Sequence, residues 1–292
     1  MVAAGSGFGM IDATARDIRA MRTHSSSVIA RRAAEALRSV TDREFGTAEE
    51  LLQSLERNSR ILRQSNPSHA WLQSSQWEIV DRVSAADVED PDELTTVLHE
   101  VIDETVESID QATTEAGRHA ASLLNDGDVI LTHDYSTTVL AAIDHHLENG
   151  NELTVYVTEA RPRVMGRRMA RVVGTREDVS VTLIVDSANG HYLPECDRVL
   201  LGMDCIVEDV LYNRVGTLPL ACTASHHDVP VSVLGADAKV IDGAFTFENS
   251  ERDSVEVLRE PAPEFTIGNP AYDATPLDLI DSVITEEGRR RR

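Results

Sequence analysis

The second half of the chain alternates short β-branched apolar runs with stretches of helical period, and few architectures accept that rhythm. Val129–Thr132, Leu153–Thr158, Val179–Val185, Arg198–Gly202 and Val231–Leu234 predict strands, three of them near-continuous apolar runs of the kind buried in parallel sheets. Between them, Thr137–Asn149, Gly166–Gly174 and Thr217–His227 predict helices. Parallel strands need crossover connections, which helices supply, so the pattern predicts an α/β fold built on a doubly wound parallel sheet. A ligand of such a sheet sits beyond the carboxyl ends of the strands.

The first third reads as helical. Asp12 to Leu37 has apolar residues at helical spacing, interrupted at Ser25-Ser26-Ser27. Thr47 is suited to cap a helix reaching Leu62, with Glu49 and Glu50 in its first turn. Trp71 and Trp77 bracket another helix, and Pro91 opens a long one to about Leu124. The domain boundary is placed near residue 118, giving a helical domain over 1–118 and a sheet domain over 119–292.

Charge narrows the choice of partners. The chain has 27 basic and 50 acidic residues, a formal net charge of −23, which repels nucleic acid and anionic lipid. Lys239 is the sole lysine; every other basic residue is arginine. An acidic surface with arginine in place of lysine suits molar salt, where the Debye length falls to roughly 3 Å. Cys196, Cys205 and Cys222 lack the C-x-x-C spacing of zinc or redox sites and read as reduced thiols. With neither an export signal nor a membrane-length apolar run, the expectation is a soluble cytoplasmic protein that uses no metal and no cofactor.

Four segments place polar residues directly after an apolar strand. Thr132-His133-Asp134-Tyr135-Ser136 opens a helix whose N-terminal N–H groups suit a phosphate. Thr158-Glu159-Ala160-Arg161-Pro162 offers Arg161 for a carboxylate or phosphate, with Glu159 to orient it. Asp186-Ser187-Ala188 alone says no more than a turn or cap. Gly202-Met203-Asp204, followed by Asn213-Arg214-Val215-Gly216-Thr217, supplies a candidate acid or base and a close backbone approach. Lys239 follows the last of these strands; an ammonium point charge with a tunable pKa is what arginine cannot provide. The pairs His145-His146 and His226-His227 read as surface residues of helices, and Arg289 to Arg292 as a solvated, frayed tail.

Taken in order, these segments, together with Asn269-Pro270-Ala271-Tyr272-Asp273-Ala274-Thr275-Pro276 and Ile284-Thr285-Glu286-Glu287-Gly288, resemble one family. That family joins the alpha, beta and delta subunits of translation initiation factor 2B with isomerases of methylthioribose 1-phosphate and ribose 1,5-bisphosphate. The resemblance implies a helical N-terminal domain on a Rossmann-like doubly wound domain. It also implies a small phosphorylated ligand, a sugar phosphate or nucleotide, and a homo-oligomer. A translation-factor partner is implied by the resemblance alone.

Three departures bear on activity. The isomerases resemble one another in a cysteine after Thr-His and an aspartate after the later strand; Asp204 matches the aspartate, but Asp134 stands at the cysteine position. Their Arg-Gly-Ala phosphate loop is here Arg22-Thr23-His24-Ser25-Ser26-Ser27. Their closing segment is reduced to Arg289 to Arg292. The leading expectation is therefore a non-isomerase homologue that binds through Arg22, Ser25, Ser26, His133, Arg161, Asn213, Arg214, Gly216, Thr217 and Lys239. The alternative is an aldose–ketose isomerase in which Asp134 and Asp204 form the acid/base pair: like charges in one pocket repel, so one pKa rises. A scaffold with no ligand would leave all four segments as caps and turns.

The charge balance carries its own test. Moving the protein from molar potassium chloride to about 0.1 M is expected to lower its thermal midpoint, followed by circular dichroism; an unchanged or higher midpoint contradicts the halophilic reading.

Overall fold

The computed structural model describes residues 7–20, 25–241, 247–249, 251–260 and 263–291. The chain forms two compact units, residues 1–111 and 112–292, and the division falls within one long helix.

The first unit is helical. It contains α1 (Gly7–Arg19), α2 (Ser26–Ala36), α3 (Ala48–Gln64), α4 (Ala70–Ser84) and most of α5 (Pro91–Ala121). Thr47 caps α3 as its sequence suggests, its side chain accepting from Glu50 N at 3.2 Å. Ile18, Ile29, Leu37, Leu51, Leu55, Leu72, Ile79 and Ile102 fill the core, the apolar stripes recurring every three to four residues. The break falls earlier than expected: α1 ends at Arg19, Ser25 is extended at the N-cap, and Ser26 and Ser27 already belong to α2.

The second unit holds a seven-stranded sheet. Its strands are β1 (Val129–Thr132), β2 (Leu153–Thr158), β3 (Val179–Ile184), β4 (Arg198–Gly202), β7 (Val231–Leu234), β10 (Ser282–Thr285) and β11 (Gly288–Arg291). The order is β11-β10-β7-β4-β1-β2-β3, parallel throughout except for β11. Helices α6 (Thr137–Glu148), α7 (Gly166–Val173), α8 (Asn189–Tyr192) and α9 (Thr217–His226) connect the strands. Read from β3 to β10, the six parallel strands follow the doubly wound order 3-2-1-4-5-6, which reverses between β1 and β4. There the chain leaves the two strands in opposite directions and opens a crevice. Its walls approach closely, since a Cβ on Gly202 would lie 2.6 Å from Ser136 Oγ.

A second sheet has the order β8-β5-β6-β9, with β5 (Cys205–Val207), β6 (Val210–Arg214), β8 (Val240–Ile241) and β9 (Tyr272–Pro276). Sequence patterning does not announce it, because strands of two to five residues are too short to show a period. The terminal arginine run is also corrected. Arg289 and Arg290 lie in β11 and pair with Ile284 and Val283 of β10, and Arg290 Nη2 donates to Asp237 Oδ1 at 2.7 Å. Backbone pairing, invisible to composition, orders it, while arginines on the outermost strand discourage further pairing. His146 is buried rather than superficial, its Nε2 3.4 Å from the carbonyl of Glu152 in the loop that follows α6.

Asp273 joins the two sheets at α9. Its Oδ2 accepts the N–H groups of Gly216 at 2.7 Å and Leu218 at 3.0 Å, so a carboxylate occupies the positive end of that helix. Asp273→Ala is expected to lower unfolding stability by about 1–2 kcal/mol, as loss of a cap does; denaturant titration with no shift in midpoint would contradict that role.

Candidate active site

The two strands that flank the crevice deliver the two aspartates. Asp134 follows β1 with φ of 64°, a left-handed conformation that aspartate tolerates better than most residues. Asp204 follows β4. Between the carboxylates stands Arg214, the last residue of β6, with Nε 3.6 Å from Asp134 Oδ2 and 3.5 Å from Asp204 Oδ2. All three side chains are 16% exposed. Tyr272, the cross-strand partner of Arg214 on β9, sets its ring centroid 4.8 Å from the guanidinium carbon.

Burial raises the pKa of Asp134 above the ordinary aspartate value, and the charge of Asp204 adds to the rise. Both outweigh the opposing pull of Arg214 and His133. Burial likewise pushes the Tyr272 phenol up to about 12. Burial and Asp204 push the Cys205 thiol up to about 12, so this buried cysteine beside Asp204 stays a thiol.

Lys239 is 3% exposed and donates from Nζ to Met203 O at 3.0 Å, one residue from Asp204. Burial lowers its pKa to about 8, against the pull of Asp204, Cys205 and Glu286. The sole lysine is thus a cation at the floor of the site whose charge is easily lost.

The remaining expected residues divide into framework and periphery. His133 is buried and fixed at both nitrogens: Nε2 donates to Val215 O at 2.9 Å, and Nδ1 lies 2.6 Å from Thr158 Oγ1. Gly216, at φ of 108°, passes so close that a Cβ would lie 2.6 Å from His133 Cε1. Its glycine makes room for that ring rather than for a ligand. Asn213 Nδ2 donates to Thr217 Oγ1 at 3.1 Å, and Thr217 Oγ1 donates to Arg214 O at 2.7 Å. Both therefore brace the arginine. Arg161 is exposed and donates to Val257 O at 3.3 Å, while Glu159 pairs with Arg167 at 2.8 Å instead of orienting Arg161. Ser25 and Ser26 are buried in the helical unit, with Ser25 Oγ 2.9 Å from Ser27 Oγ. Arg22 lies outside the described residues.

Sequence reasoning missed the parts that act through shape. Asp186 accepts the N–H groups of Ala160 and Arg161 at 2.7 Å each and so fixes the loop after β2. Beside it, His133, Thr158, Ser187, Asn189 and Leu220 line a cleft of about 240 Å³. The position of Asp186 after an apolar strand was the available signal for this role; Tyr272 lay within the Asn269–Pro276 segment that carries the resemblance, with no role assigned to it there. Among the described residues no cluster of three or more His, Cys, Asp or Glu side chains forms a metal site, and no helix is long and apolar enough to cross a membrane.

Comparison with known proteins bears directly on activity. The Initiation factor 2 subunit family matches residues 22–291. Ribose 1,5-bisphosphate isomerase of Haloferax volcanii is 32% identical over 285 residues, covering 94% of this chain and 87% of that protein. The protein of the same name in Haloterrigena turkmenica is 33% identical over 294 residues, covering 94% and 88%. The crystal structure of translation initiation factor eIF-2B subunit delta from A. fulgidus superposes with a TM-score of 0.78 at 25% identity, covering 96% of this chain and 87% of that one. For 5-methylthioribose 1-phosphate isomerase from Pyrococcus horikoshii the TM-score is 0.83 at 23% identity, covering 96% and 84%, a likeness of fold. The expectation of a non-isomerase factor homologue is overturned, since relatives named ribose 1,5-bisphosphate isomerase match 94% of the chain at 28–33% identity. An aspartate at the cysteine position was too little ground for reading catalysis as lost.

The titration of Lys239 gives a test with a definite sign. Between its folded value of about 8 and its ordinary 10.5, the unfolded chain binds more protons than the folded one, so this group makes stability rise with pH. Lys239→Met is expected to remove that rise, read from denaturant midpoints at the two ends of the window; an equal rise in the variant shows that another group causes it. From its fold and its match to the family profile, the chain belongs to the Initiation factor 2 subunit family.

Proposed function

We propose that this chain is an aldose–ketose isomerase of a phosphorylated ribose, converting ribose 1,5-bisphosphate to the 2-ketose. The observation that carries the reading is the pair Asp134 and Asp204, facing Arg214 across the crevice with one carboxyl driven towards its protonated form. Relatives of that name across nearly the whole chain support it.

The chemistry needs one acid and one base. Asp204 takes the proton from C2 of the sugar while Asp134 gives its proton to the ring oxygen. The C1–O4 bond breaks, and a C1=C2 enol that still carries the 1-phosphate forms. A proton then returns to C1, the O2 hydroxyl gives up its own, and the ketone appears at C2; nothing is oxidised or reduced overall. Arg214 follows the charge as it moves between the carboxylates, being within 3.6 Å of both. Lys239 keeps a cation near Asp204 when that group is charged.

Turnover in molar potassium chloride, followed by phosphorus NMR with ribose 1,5-bisphosphate and methylthioribose 1-phosphate, tests the reading. Conversion of the bisphosphate is expected, with a loss of about 10²-fold or more in Asp134→Asn. Conversion of neither sugar overturns the proposal, and unchanged turnover in the variant removes Asp134 from the mechanism.

A further inference from the structure

The loop between β2 and α7 carries a second arginine that the pair of aspartates does not account for. This loop is tightly built. Ala160 has φ of 60°, held by the two N–H bonds to Asp186, and Val164 N donates back to Ala160 O at 2.8 Å. Gly166 closes it, for a Cβ there would lie 1.7 Å from Thr158 O. Arg163 stands within this turn with its side chain 18% exposed and its Nε 3.9 Å from Glu256 Oε1.

Glu256 is itself held in place from other sides. Arg252 Nη2 donates to its Oε1 at 2.6 Å and Nε to its Oε2 at 3.1 Å, and Asn269 Nδ2 reaches Oε2 at 3.3 Å. Asn269 is buried, with its N–H donating to Glu251 Oε2 at 2.7 Å. Two guanidinium groups thus share one carboxylate at the edge of the candidate active site. Burial, then the charges of Arg252 and Arg214, push the pKa of Arg163 down against the pull of Glu256 and Asp134. Arg163, in the loop at the carboxyl end of β2, therefore lies in the field of both Arg252 and Arg214 in a chain of net charge −23. An anion brought among them relieves the repulsion. A guanidinium fork matches a phosphate in shape and hydrogen bonding.

We infer that Arg163, braced through Glu256 by Arg252 and Asn269, binds one of the two phosphates of a bisphosphorylated ribose, and so favours that substrate over singly phosphorylated sugars. The inference rests on the isomerase reading for its choice of ligand. It concerns a residue of binding, not of proton transfer.

The test compares wild type, Arg163→Gln and Arg163→Lys in molar potassium chloride. Dissociation constants are measured by calorimetry for ribulose 1,5-bisphosphate, ribose 5-phosphate and methylthioribose 1-phosphate, beside KM and kcat for ribose 1,5-bisphosphate. Loss of one charged contact predicts that Arg163→Gln weakens the bisphosphate about 10- to 100-fold, with KM rising more than kcat falls. It should weaken one monophosphate comparably and leave the other within about threefold, because only one phosphate sits on Arg163. Arg163→Lys, which keeps the charge and loses the fork, should lie between wild type and Arg163→Gln; should Arg163→Gln fail to fold, a several-fold loss in Arg163→Lys confined to one monophosphate and the bisphosphate decides. Weakening of neither monophosphate, or of both alike, overturns the inference, as does a wild type that binds none of the three. A wild type that binds the bisphosphate without converting the aldose refutes the isomerase reading alone, and the dissociation constants of the variants still judge Arg163.

Discussion

Arg214 is wedged between two carboxylates that would otherwise repel each other, and much of the surrounding structure serves to keep it there. Its strand, β6, pairs with β9, which sets Tyr272 against the guanidinium. The residue after Tyr272, Asp273, caps α9, and two residues before α9 the chain turns at Val215, whose carbonyl accepts a hydrogen bond from His133 Nε2. His133 in turn precedes Asp134. A closed circuit of contacts therefore runs from Asp134 to Arg214, through Tyr272, Asp273 and the turn before α9 to His133, and back to Asp134. Displacing Arg214 would leave two partly buried carboxylates facing each other at low local dielectric, where the cost of an unpaired charge is greatest.

The main sheet explains why those groups meet at all. Its strand order reverses between β1 and β4, so the residues that follow these strands face a common crevice although some 70 positions separate them along the chain. The smaller sheet then acts as a bracket. It carries Arg214 and Tyr272 to the crevice, and Lys239 immediately precedes its strand β8, a position from which the ammonium reaches Met203 O. The charge environment follows from this placement. Burial acts on Asp134 and Lys239 in the same sense, each moving towards its neutral form, and Arg214 remains the permanent charge beside Asp134 and Asp204.

Much of this was legible in the sequence, for identifiable reasons. Buried parallel strands tend to be near-continuous apolar or β-branched runs, so β1, β2, β4 and β7 declare themselves, and polar residues directly after them mark the site. The smaller sheet did not declare itself, since Cys205–Val207 and Val240–Ile241 are too short to show alternation. Arg289 to Arg292 looked like a tail because charge suggests solvation, whereas the pairing of Arg289 to Arg291 with β10 depends on a partner outside any local pattern, and Arg292 lies outside the described residues. Glu159 and Arg161 are near in sequence, yet the turn at Ala160 directs Glu159 to Arg167. Asp134 was recognised as occupying the position of a catalytic thiol; what its burial does to its proton required the neighbours Arg214 and Asp204 in three dimensions.

The account depends most on Asp134 retaining its proton beyond the range of an ordinary aspartate while Arg214 lies beside it. Carbon-13 NMR titration of protein labelled at the aspartate carboxyls, with the resonance assigned through Asp134→Asn, measures this directly. The account predicts a titration of Asp134 above the ordinary aspartate value of 3.8, moving higher still in Arg214→Gln as the stabilising cation is withdrawn. A carboxyl that titrates at or below the ordinary value, and does not move when Arg214 is replaced, would contradict it.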